Sequence, residues 1–60
     1  MGMYSVRYYG SNGFLAGECS YQDQESAARD FENFRSGGYV SAELVLLFRG
    51  KEYLLESAVN

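Results

Sequence analysis

Residues 3–9, Met-Tyr-Ser-Val-Arg-Tyr-Tyr, are rich in aromatic and β-branched types and are followed by Gly10-Ser11-Asn12-Gly13 and then by a second run from Phe14 to Tyr21. Two such runs around Asn-Gly predict a β-hairpin. With Asn12-Gly13 as the turn, Tyr4 falls opposite Tyr21, Val6 opposite Cys19 and Tyr8 opposite Gly17 on one face, while Arg7 meets Glu18 on the other. A four-residue loop would change the pairs but not the parity, so an inward set of Tyr4, Val6, Tyr8, Leu15 and Cys19 follows either way.

Over residues 22–36 the period changes. Ala27, Phe31 and Phe34 recur four and three apart, with Ala28 beside them, which makes one apolar stripe on a helix. Asp23 is placed to cap its N-terminus, Glu25 lies where the helix dipole favours negative charge, and Gly37 is the expected left-handed residue that ends it. Glu25 and Arg29 are spaced for an exposed i,i+4 pair.

Strand character returns over residues 39–49, and Gly50-Lys51 can turn the chain into a last strand from residue 52 to about 58. This turn sets Phe48 against Tyr53, Leu46 against Leu55 and Leu44 against Ser57 on one face. Arg49 then meets Glu52, Leu47 meets Leu54 and Val45 meets Glu56 on the other. The competing reading is a short helix over residues 52–59, because Glu, Leu and Ala are good helix formers and Leu54, Leu55, Ala58 and Val59 could form a stripe. The preferred reading is an α+β chain of order ββαββ: one domain over residues 1–60, with a four-stranded antiparallel sheet packed on one helix.

Composition narrows the chemistry. The 60 residues contain no histidine and one cysteine, which removes the usual general base, the commonest metal ligand and any internal disulfide. No catalytic, cofactor-binding or metal-binding residue is assigned, and an enzyme is not expected. Glu18 and Glu43 could exchange protons in principle, but nothing in their spacing requires it. The net charge of -3 argues against non-specific binding to nucleic acid or an anionic membrane. The longest apolar run, Leu44 to Phe48, is far short of a membrane span, and the N-terminus has no basic region leading into an apolar stretch. Gly2 is followed by Val6 where a myristoylation signal needs Ser or Thr, the end of the chain has no prenylation cysteine, and Met3 is a second candidate initiator after Met1-Gly2. The lone Cys19 fits the cytoplasm, and its inward parity makes it a small buried hydrophobe rather than a nucleophile.

Three further features have plain structural explanations. Gly10 and Gly13 have the spacing of an RNA-clamping loop, yet they lie between strands with no basic cluster beside them. Tyr9 and Tyr39 point away from the inward face and could stack bases, which gives an alternative reading as a single-stranded nucleic-acid or small-ligand binder, but aromatic side chains also supply bulk in a domain too small for a large aliphatic core. Asp23, Glu25, Asp30 and Glu32 crowd one stretch as in a DNA mimic, but Arg29 and Arg35 sit among them as on a solvated helix face.

The second hairpin carries most of the functional argument. Val40, Ala42, Leu44, Leu46, Phe48, Tyr53 and Leu55 can pack on the helix, which leaves Val45, Leu47 and Leu54 on the opposite face inside a rim of Glu43, Arg49, Glu52 and Glu56. An apolar centre with a charged rim is interface composition. Covering each aliphatic contributes about 1.5–3 kcal/mol, comparable with the roughly 3–5 kcal/mol that so small a core supplies alone. The expected role is therefore a non-enzymatic protein-interaction module. It would act as a homodimer and engage another, unidentified protein, as accessory and phage-encoded modulators of host proteins do.

Overall fold

The computed structural model describes residues 2–60; Met1, of the Met1-Gly2-Met3 start, lies outside them. The elements run β1 (Met3–Tyr9), β2 (Leu15–Tyr21), α1 (Gln24–Glu32), β3 (Ser41–Phe48) and β4 (Lys51–Val59). The last segment is a strand, so the helical alternative over residues 52–59 is discarded. All pairings are antiparallel, and the sheet order β2-β1-β3-β4 places the first and third strands at the centre and both hairpin partners at the edges.

The first hairpin keeps the expected register from Tyr4↔Tyr21 to Tyr8↔Gly17 and then shifts, so that Tyr9 faces Leu15 and Ala16 is the extra residue of a bulge. A bulge reverses parity beyond it. Leu15 therefore shares the face of Tyr9 and is exposed, not inward as its spacing suggested. Within the turn, Gly13 adopts φ 82 and its N–H bonds the Gly10 carbonyl. The Gly10 N–H bonds the Phe14 carbonyl, and Asn12 Oδ1 accepts from the Phe14 N–H.

The helix begins as expected, with the Asp23 carboxylate accepting from the Ser26 N–H, but it ends at Glu32 rather than extending to residue 36. Asn33 to Gly38 continue as turns, and the left-handed residue is Gly38 at φ 80, not Gly37. Gly37 is needed for a different reason, since a Cβ there would lie 2.9 Å from the Tyr39 ring. This close approach lets Tyr39 stack on Tyr8 with ring centroids 4.7 Å apart.

The core consists of Val6 and Tyr8 from β1, Ala42 and Leu44 from β3, and Ala27, Phe31 and Phe34 from the helical segment. The Tyr8 and Tyr21 hydroxyls both donate to the Asp30 carboxylate, tying α1 to β1 and β2. That bond holds the Tyr21 phenol up at about 12 and, with burial first, raises Tyr8 as well. Because α1 packs over β1, β2 and β3 and not over β4, several expected core residues are uncovered: Val40, Tyr53 and Leu55 are exposed. Cys19 faces the helix side opposite Val6 but is exposed at the β2 edge, contrary to its expected burial.

Candidate interaction surface

The face turned away from α1 is built of rows that cross the strands. Glu18, Arg7, Glu43 and Ser57 form one row, Ser5, Val45 and Leu54 lie in the next, and Met3, Leu47 and Glu52 in the one after. Arg7 dominates this face. Its Nε donates to Glu18 at 2.8 Å and its two terminal nitrogens donate to the Glu52 carboxylate at 3.0 and 3.1 Å. Since Arg7 is on β1 and Glu52 on β4, the pair must cross β3 between Glu43 and Leu47, which is the position of Val45. Ser5 beside it donates to Glu18 at 2.7 Å. The charged network therefore roofs two residues that have no helix above them, and Ser5 and Val45 are 0% and 3% exposed. The guanidinium lowers both Glu18 and Glu52 below the usual carboxylate range and is itself raised.

The seven residues expected at an interface are thus distributed differently from their parity. Val45, Leu47 and Leu54 do share the face opposite the helix, but Val45 is buried beneath the Arg7–Glu52 pair, Leu47 is half-buried and only Leu54 is broadly exposed, at 59%. Glu52 and Glu43 are on this face, the latter accepting from the Tyr9 hydroxyl at 2.7 Å and raising that phenol. Arg49 lies within the β3–β4 turn, its guanidinium 5.2 Å from the centroid of the Phe48 ring. Glu56 has changed sides. The turn is Arg49-Gly50 rather than Gly50-Lys51, with Phe48 opposite Lys51, and a bulge at Leu55 brings Glu56 opposite Leu44 on the helix side.

The feature that local spacing did not mark is β4 as a whole. It is an edge strand, no helix covers it, and residues 51–57 are all exposed. Three consecutive large apolar residues occupy its middle: Tyr53 on the helix side, Leu54 on the opposite face and Leu55 at the bulge, 45%, 59% and 42% exposed. The other edge, β2, exposes only Leu15 among the large apolar residues. An open edge offers a row of unpaired N–H and C=O groups, and here apolar side chains flank that row on both faces.

The remaining candidates are occupied within the chain. Tyr39 stacks on Tyr8 in the core and is not an outward platform. Tyr9 does face outward, next to Glu43, which would repel a phosphate. Glu18 and Glu43 flank Arg7 from opposite sides, two strand spacings or about 10 Å apart. Of the acidic stretch, Asp23 caps α1 and is lowered by its Ser26 bonds, Glu25 pairs with Arg29 at 2.6 Å and Asp30 holds the two tyrosines. The described residues enclose no pocket, and none of their helices is long and apolar enough to cross a membrane. Comparisons with protein-family models, curated proteins and solved structures find no match to this chain.

Proposed function

We propose that this chain is a non-enzymatic protein-interaction module that works through β4, with a second copy of itself as the first partner. The observation that carries the reading is the run Tyr53-Leu54-Leu55 on an edge strand that no helix covers. Natural edges are blunted by proline, by charge or by cover, and the middle of β4 has none of these over three residues. Edge pairing is favoured over stacking of the two outer sheet faces, because the centre of that face holds Arg7, Glu18, Glu43 and Glu52, which stacking would strip of water. A dimer of this kind leaves the acidic outer face free for a further protein, in keeping with an accessory role. The free, exposed Cys19 fits a reducing compartment, so the cytoplasm is the proposed location.

Sedimentation velocity over a concentration series tests the reading. The expected result is a shift from one toward twice the 6.7 kDa chain mass as concentration rises, with Leu54→Lys moving the midpoint at least tenfold higher. A single species of chain mass up to high micromolar concentration would end the proposal.

A further inference from the structure

We infer that β4 pairs antiparallel with β4 of a second copy in one register, centred on Tyr53, so that two sheets become one; this rests on the self-association proposed above and specifies it. The argument begins at the turn. Arg49 and Gly50 have φ 53 and φ 76, the two positive values of a type I′ hairpin, so Phe48 and Lys51 are its hydrogen-bonded closing pair. Bonding alternates from there. Tyr53 points its backbone groups at Leu46, whereas the N–H and C=O groups of Glu52 and Leu54 point away from β3 to the open edge.

A second strand must meet those outward groups with outward groups of its own and keep each side chain on its own face. Pairing Glu52 with the partner's Leu54 and Leu54 with the partner's Glu52 satisfies both conditions before the bulge at Leu55 interrupts the strand. Centring on Glu52 would oppose two carboxylates, and centring on Leu54 would run both strands through their bulges. With Tyr53 at the centre, the two copies of Tyr53 form a close pair on the helix side, and the two Leu54 side chains are diagonal neighbours on the other face. Lys51 then faces the partner's Leu55, with the partner's Glu56 next along the same face. Neither Lys51 nor Glu56 has an ion-pair partner among the described residues, and both are exposed. The twofold axis makes this contact twice, and it places both helices on one side of the joined sheet.

Two experiments on the full chain test the register. In a Cys19→Ser background, Tyr53→Cys puts thiols at a non-hydrogen-bonded pair, where the Cα separation of about 4.5 Å suits a disulfide. Mild oxidation is expected to convert most of the protein to covalent dimer, while Ser20→Cys on the β2 edge in the same background gives little. The second experiment does not depend on that variant folding. Lys51→Glu and Glu56→Lys each place like charges across the axis and should weaken self-association several-fold. Mixed together, they should form heterodimers at least as readily as the native chain pairs, because both contacts become complementary. Dimers that neither cross-link at position 53 nor show this preference in the mixture would overturn the register and leave the broader proposal standing. Absence of any dimer would overturn both.

Discussion

Arg7 does the work of a cover that the fold otherwise lacks. Its guanidinium joins Glu18 on one side and Glu52 on the other, and its methylene stem adds apolar cover over the position of Val45. The two contributions are separable by substitution. Glu52 is more than half exposed, so the ion pair itself contributes little, and Arg7→Met, which keeps the stem, should shift the denaturation midpoint only slightly. Arg7→Ala uncovers Val45 as well and should cost about 1–2 kcal/mol in chemical denaturation. Equal losses in the two variants would show that the roof over Val45 has no energetic weight. The same residue sets an acid limb. Glu18 and Glu52 are held below their ordinary 4.5, so their contribution is fully present above that value and is lost as pH falls through the lower folded-state values. The unfolding midpoint should therefore drop as pH falls below 4.5, with a shallower slope in Arg7→Met.

Among the elements, the first hairpin and the helix start were legible because their signals are local: Arg7 opposite Glu18, a turn between Gly10 and Gly13, though with Ser11-Asn12 and not Asn12-Gly13 at its centre, and the Asp23 cap. What escaped was non-local or chemically silent. The bulge at Leu55 has no glycine to mark it and the one at Ala16 only the neighbouring Gly17, which pairs as an ordinary strand residue with Tyr8; each reverses the parity beyond it, exposing Leu15 and moving Glu56 to the helix side. The second turn was misplaced by one residue because it puts Arg49, not a glycine or asparagine, at positive φ. That choice implies a stabilising substitution. Arg49→Asn suits the first central position of a type I′ turn and should raise stability by roughly 0.5 kcal/mol, read as a higher midpoint at unchanged denaturant slope. A lower midpoint would mean that the guanidinium over Phe48 outweighs the strain. The burial of Val45 could not be read from either hairpin alone, since it depends on β1 pairing with β3 and so bringing Arg7 within reach of β4.

At the scale of the whole molecule, the total accessible surface of 4136 Å² is close to the roughly 3,900 Å² expected of a compact monomer of this mass. Its quantity is ordinary, and its concentration on β4 is what the proposed pairing rests on. A nine-residue helix covers β1, β2 and β3 and reaches no part of β4. Leu47 and Leu54 lie on the face away from the helix, as their parity predicts, but the exposed apolar surface is centred on β4 rather than on the inner strand β3. The most direct test is amide hydrogen exchange of Glu52 and Leu54 measured at low and at high protein concentration. Both N–H groups point into the open edge, so self-pairing predicts exchange near the unprotected rate when dilute and strong protection when concentrated, with Tyr53 protected throughout by Leu46. Concentration-independent, rapid exchange at Glu52 and Leu54 would contradict pairing through β4.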